Sequence, residues 1–323
     1  MNESKFKDLY IRNNLINDLP EAITFLNNLE HISGNLDEID ETVLDKIIEY
    51  LVFNNQNSIN NFIILMRYYR VMQNDRLYIH LTKYTGIIDV FENILKRLKS
   101  KVNQEIYQKI TLGINLPVLG TSPYELPNYT EDLMKRLSSF LDEETKKKVL
   151  TGNNHGLSED SQLSEKIEYE NSNSLNEYLS SRHKRKVLEL TKHYQESRIW
   201  FEQVITEEVI AHVKSNQEIL SAKLENNCLY ITKIPYDTLA YLTSLDKTTK
   251  RYHGCHCPFA REAILKNKTQ VDQLFCYCSA GFAKFPFEVI LGQKLPIKVL
   301  ESIIGGSEIC RFEINLENIE YKK

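Results

Sequence analysis

The sequence predicts an α+β protein, with a helical N-terminal region followed by a C-terminal antiparallel sheet with helices. Three observations carry this. Apolar residues recur at helical spacing through the first two-thirds of the chain. Near Gln217 that spacing gives way to alternation. A Gly305–Gly306–Ser307 turn then joins two alternating runs close to the C-terminus.

The elements follow in order. ETVLDKIIEYLVF puts Val43, Leu44, Ile47, Ile48 and Leu51 on one helix face. INNFIILMRYYRVM groups Phe62, Ile63, Met66 and Tyr69, and IIDVFENILKRLKSKV groups Val90, Phe91, Ile94, Leu95 and Leu98. Pro117, Gly120, Pro123 and Pro127 mark a break. Thr130 is placed to cap the helix TEDLMKRLSSFL, with Glu131 and Asp132 in its first turn. A polar stretch at about 151–175 has few apolar residues and reads as a surface loop or linker. Helix resumes after it. The basic run Arg182–His183–Lys184–Arg185–Lys186 fans around that helix and reads as a solvated face. The helical region is thus 1–215 and the α+β region 216–323. Strands are expected near 219–224, 228–234, 296–303 and 308–315, the first two joined at Asn226–Asn227. TLAYLTSL, CPFAREAILK and CSAGFAKFPFEVIL are the expected helices between the strand pairs, with Pro258 in a first turn.

The chain has 323 residues and is 42% hydrophobic, enough for a substantial core. A net charge of −4 gives no global electrostatic case for nucleic acid. No run of 18 apolar residues appears, and the N-terminus has no apolar leader. The expectation is a soluble cytoplasmic protein with no membrane partner; an oligomer is compatible with it. Closely spaced free thiols suit a reducing compartment.

Those thiols are the most informative residues. Four of six cysteines form two pairs, Cys255–His256–Cys257 and Cys276–Tyr277–Cys278, and Cys310 follows. Thiolates bind soft metals and attack electrophiles. Chelation of one ion by both members of a pair is read as needing a turn, which Gly254 and Pro258 can supply. A four-coordinate zinc site can also take one cysteine per pair plus Cys310, with His256 or Glu301 as the fourth ligand. The candidate metal ligands are therefore Cys255, Cys257, Cys276, Cys278, Cys310 and Glu301, and zinc is the expected ion. A second reading makes Cys257, Cys276 or Cys278 a nucleophile with His256 or His155 as base. A third makes the pairs a redox switch, and the plainest has the cysteines packing as small hydrophobes. His155 lies in the loop GNNHG. Arg261 and Lys284 are candidate clamps for a ligand carboxylate, and each also reads as an ordinary surface charge. No phosphate loop, dinucleotide fingerprint, nucleophile elbow or HExxH motif is present.

KIPYDT, KRYHGCHCPFAREAI, CYCSAGFAKFPFE and LPIKVLESIIGGSEICRFEI resemble a family of uncharacterised bacterial proteins of about this length. The resemblance extends through TKYTG, LGTSPYELP, GNNHG and WFEQVIT. The segment from Cys276 to Ile314 also resembles the 4-vinyl-reductase ligand-binding domain. That resemblance implies a cysteine-bearing helix at Cys276 or Cys278, an acidic position at Glu301 and a last strand at Cys310–Arg311–Phe312, with zinc held by these positions. Ser302 stands where that domain has a second cysteine, and the Cys255–Cys257 pair would then supply the missing ligands. The same tail is similar to thiazoline-carboxylate hydrolases. The expected function is a small-molecule-binding or sensing protein with a thiolate-rich zinc site. A thiol-dependent hydrolase and a redox switch are the alternatives.

Overall fold

The computed structural model describes residues 3–265 and 271–323, and the chain is α+β as expected. The last residue of the expected helix CPFAREAILK lies outside the described residues. Two compact units form, Met1–Ile88 with Pro117–Glu125, and Asp89–Leu116 with Leu126–Lys323.

The first unit is helical: α1 (Glu3–Arg12), α2 (Leu19–Ser33), α3 (Glu41–Phe53), α4 (Ile59–Val71) and α5 (Asp75–Thr85). Asp40, Ser58 and Asn74 cap α3, α4 and α5, their side chains accepting from Val43, Asn61 and Leu77 N–H groups. Leu44, Ile47, Ile48 and Leu51 of α3 are buried with Phe62, Leu65, Tyr68 and Tyr69 of α4. Gly120 lies against Val52, Ile48 and Phe62 with φ near +89°, a conformation and a space that both demand glycine.

The second unit contains α6 (Val90–Lys101), α7 (Gln104–Thr111), α8 (Leu126–Phe140), α9 (Glu143–Leu150), α10 (Leu163–Asn171), α11 (Leu175–Gln195), α12 (Glu207–Ser215), β1 (Lys223–Glu225), β2 (Cys228–Thr232), α13 (Thr238–Thr243), α14 (Lys247–Gly254), α15 (Pro258–Leu265), α16 (Cys276–Leu291), β3 (Ile297–Glu301) and β4 (Arg311–Asn315). The sheet is antiparallel with order β1-β2-β4-β3. Leu229 and Ile231 pair with Ile314 and Phe312, so alternate residues of both central strands face the core. Asn226 and Asn227 both take positive φ in the β1–β2 turn, as a two-residue hairpin requires. Phe91, Phe259 and Phe275 form an aromatic cluster, with centroids 4.8 Å apart for Phe91–Phe259 and 5.9 Å for Phe259–Phe275.

Four local expectations need correcting. β1 begins at Lys223, not 219, because Leu220 and Ala222 hold positive φ and break the strand. α8 begins at Leu126 with Pro127 in its first turn, so Thr130 is not the cap. Its buried hydroxyl instead donates to the Phe259 carbonyl, 2.9 Å away. The polar stretch contains α10, anchored by buried Tyr169. The basic run is not wholly solvated: Arg182 is buried over the Phe287 ring, and Arg185 pairs with Glu165 of α10 at 2.8 Å. By length and mean hydropathy the Gln273–Leu291 helix could cross a membrane; half of that window is buried inside the protein, and α16 packs on β3 and α10.

Candidate functional site

Three separated stretches deliver the thiols. α14 ends at Gly254, and Cys255 continues in an extended conformation. The Cys257 carbonyl then accepts from the Ala260 and Arg261 N–H groups and opens α15, so the turn between the paired cysteines is a helix end meeting a helix start. Cys276 and Cys278 lie in the first turn of α16. Cys310 directly precedes β4. Cys255, Cys257, Cys276 and Cys310 line one cavity of about 20 Å³, together with His256 and Lys233. That volume accommodates an ion or one water and is far too small for an organic ligand.

Cys278 is buried outside that lining. Its sulfur accepts from the Asn154 amide at 3.2 Å. Asn154 is itself wholly buried, with its oxygen accepting from Arg97 at 2.7 Å and its amide donating to the Leu150 carbonyl at 2.7 Å. The GNNHG loop is pressed onto α16 here: a Cβ on Gly281 would stand 2.3 Å from the Gly152 backbone. The sequence had drawn attention to His155, but its neighbour Asn154 is the residue that touches a thiol.

His256 approaches the Ile234 carbonyl through Nε2 at 2.6 Å. A carbonyl only accepts, so Nε2 carries the proton and Nδ1 keeps a lone pair. Burial pushes this imidazole down to about 3, assisted by the positive charge of Lys233. His256 is therefore neutral with a fixed tautomer at neutral pH. Metal-ligating histidines are held this way, through a carbonyl on the far nitrogen.

Burial pushes every clustered thiol up. Cys255 rises to about 12, with Cys310 adding to the effect, and Cys257 rises well above the ordinary thiol range. Cys276 is raised by burial and by Cys310 and Cys255, against a hydrogen bond from Ser302. Cys278 and Cys310 are raised by burial too. The Asn154 amide opposes this at Cys278, the Ile303 backbone opposes it at Cys310, and Lys233 acts on both. The thiols are protonated at neutral pH, and only added positive charge would ionise them.

Lys233 follows β2 and went unread in the sequence because a lone lysine usually lies at the surface; its place in the KIPYDT motif was the available signal. Its N–H donates to the Cys310 carbonyl at 3.0 Å, its ammonium to the Ser279 hydroxyl at 3.1 Å.

The remaining candidates lie apart from the cavity lining. Glu301 is exposed at the end of β3 and accepts from Ser307 at 2.7 Å. Lys284 donates to Glu288 at 2.8 Å and to the Leu295 carbonyl at 2.9 Å, pinning α16 to the chain before β3. Arg261 is no surface charge: it is 2% exposed and stacked on Tyr236, 3.8 Å from the ring centroid. His155 packs edge-on to Phe282 at 5.2 Å, and burial lowers it to about 4.

The donor chemistry suits a soft dication, but the side chains are not drawn to one point. Among the described residues, no group of three or more His, Cys, Asp or Glu side chains stands in an arrangement that could hold a metal ion. Neutral thiols have no electrostatic reason to crowd together. Each cysteine has one side-chain torsion, so its sulfur can reach a new position by a single rotamer change. Comparison with protein-family models, curated proteins and solved structures finds no match for this chain.

Proposed function

We propose that this chain is a binding or sensing protein built around a thiolate-rich metal centre, with zinc the favoured ion. The observation that carries the reading is the cavity: four thiols from three separate stretches, with an imidazole of fixed tautomer, surround an ion-sized space. A dication supplies the positive charge that the buried thiols need to ionise, and its entry turns them inward as ligands. Donors would come from the cavity thiols and from Nδ1 of His256. The enclosed volume favours an ion over an organic molecule as the direct occupant. The resemblance of the Cys276–Ile314 segment to a zinc-holding ligand-binding domain supports the same reading.

The hydrolase alternative needs a thiolate without metal, which burial of Cys257 and Cys276 opposes. Protein purified without added metal should retain about one zinc per chain, and removing it with a chelator should expose thiols to titration. Metal-free protein with the same thiol reactivity before and after chelator would defeat the proposal.

A further inference from the structure

Beside the thiol cavity, three polar side chains are left without the partners that their burial demands. Arg261 is 2% exposed, and its Nε is enclosed with no hydrogen-bond partner. The neighbouring Glu262 carboxylate stays 3.8 Å from that nitrogen and accepts from the Tyr252 hydroxyl at 2.9 Å. Tyr236 stacks on the guanidinium, and its hydroxyl is likewise enclosed and unpartnered. The third is Glu202. It lies in the two-residue turn between Trp200 and Gln203, whose backbones bond each other at 2.9 and 3.1 Å. Phe201, at the first turn position, holds φ near +50°, a conformation that favours glycine and that an aromatic residue adopts only under constraint. Gln203 supplies the constraint: its amide donates to the Pro235 carbonyl at 3.3 Å, and its oxygen accepts from the Thr238 N–H at 3.2 Å. The turn is thereby clamped to the segment that carries Tyr236, with Phe201 exposed and Glu202 half-buried. Burial pushes the Glu202 carboxyl up, and Arg261 and Lys233 pull it down from a distance, with no hydrogen bond or ion pair among the described residues.

We infer that Arg261, Tyr236 and Glu202 form a second binding site, for a small carboxylic acid that also carries a hydrogen-bond donor, as amino acids and hydroxy acids do. The site needs no metal. A guanidinium presents a planar fork of donors that matches a carboxylate, and the Tyr236 hydroxyl adds one more. An ionised Glu202 offers only acceptors, so it takes the ammonium or hydroxyl of the ligand. The other two charges here have partners of their own, Lys233 in Ser279 and Glu262 in Tyr252. Unmet buried donors cost free energy, and native proteins keep few without an occupant or a function that explains them. Glu202 and Tyr236 keep partial exposure while Arg261 has almost none, which gives the site an open side and a closed one. The Tyr236 ring also meets His256 edge-on at 5.6 Å, so the site and the thiol cavity share a wall.

The test titrates the full chain with propionate, lactate and alanine, acids of one size that carry no further donor, a hydroxyl or an ammonium. Trp200, the chain's single tryptophan, is buried two residues from Glu202, so its emission reads binding while thermal unfolding reads stability. We expect saturable binding, with lactate or alanine about 10-fold tighter than propionate, the effect of one hydrogen bond to a charged group. The tighter of those two tells a hydroxy-acid ligand from an amino-acid one. Glu202→Gln should remove most of that preference. Arg261→Lys keeps the charge but loses the fork, and should weaken all three acids about 10-fold or more. Tyr236→Phe separates a binding role from a structural one. Removing an unpartnered hydroxyl should leave the ligand-free melting temperature unchanged or higher, yet weaken binding about 10-fold. A lower melting temperature in Tyr236→Phe with unchanged affinities would assign the hydroxyl to an ordered water and overturn the inference. So would the absence of saturable binding by all three acids, or parent-like affinities in Arg261→Lys. Should Arg261→Lys fail to fold, Tyr236→Phe and Glu202→Gln carry the test, and parent-like affinities in both would overturn the inference.

Discussion

Replacing Gly281 by alanine sets two effects of opposite sign against each other. Gly281 lies in the middle of α16, where glycine is about 1 kcal/mol worse than alanine in helix propensity. On propensity alone the change should stabilise the second unit. Packing says otherwise. The new Cβ would lie 2.3 Å from the Gly152 nitrogen, 2.3 Å from its oxygen and 2.9 Å from its carbonyl carbon. These are backbone atoms, so no side-chain rotation relieves the clash, and the loop must move by about 1 Å to reach ordinary contact distance. Overpacking of this kind costs about 1–3 kcal/mol. The loop also carries Asn154, whose bonds to Arg97, Leu150 and Cys278 lengthen as it moves. Weakening one or two of these adds about 1 kcal/mol each. Sterics therefore win, and the net expectation is destabilisation by about 2–3 kcal/mol. Trp200 is the chain's single tryptophan, is buried in the second unit and donates to Glu189, so its emission reports urea unfolding of that unit. A midpoint that rises or stays put in Gly281→Ala would refute the close approach of α16 to the GNNHG loop.

Further outcomes follow from the same geometry. Asn154→Ala removes the amide that supports Cys278 and leaves the Arg97 guanidinium short of an acceptor, so it should cost about 1–3 kcal/mol by urea unfolding; a loss below about 0.5 kcal/mol, the size of an ordinary surface change, would show that the network is not needed. Burial lowers His155 to about 4 from an unfolded value of 6.5. The unfolded chain therefore takes up this proton first as pH falls. The contribution is present above about 6.5 and lost between there and about 4, worth about 1–3 kcal/mol after allowance for partial exposure. His155→Gln should flatten the stability profile across that window, and an unchanged slope would refute it. On the metal-centre reading, chelator should lower the melting temperature of the second unit. It should also speed alkylation of Cys276 relative to that of Cys228 on β2; fast labelling of Cys276 without chelator would favour a free reactive thiol instead.

What the sequence revealed depended on whether the governing interaction was local. The β1–β2 hairpin was legible because Asn226 and Asn227 are residues that accept positive φ, and both adopt it. The late start of the first strand was not, because Leu220 and Ala222 carry no preference for the backbone they are held in. Thr130 offered a plausible local cap, but Pro127 begins the helix earlier and the hydroxyl serves a contact with α15. α10 was hidden because its support is non-local: Tyr169 packs against Tyr178, and Glu165 pairs with Arg182 and Arg185 of α11. The clustering of cysteines was visible as spacing. Which thiols share a cavity depends on the packing of α14, α16 and the strand ends, which spacing cannot encode.

The two halves of the thiol environment answer different physical needs. Around Cys278, a buried amide, a guanidinium and a lysine already supply partial positive charge, and all but Lys233 come from before residue 215. That sulfur has a partner and needs no ion to satisfy it. The four cavity thiols have the Lys233 ammonium and, at Cys255, the Arg261 guanidinium as nearby cations, together with weak backbone and hydroxyl donors. Burial outweighs these charges, so the thiols stay neutral and apart. The fold thus keeps Cys278 as a structural anchor between the GNNHG loop and α16, and on the metal-centre reading the cavity thiols are the set that a cation would ionise. The change of composition near Gln217 does not divide these roles. The anchor depends on α6 and the GNNHG loop, and the cavity on the strands and helices that follow.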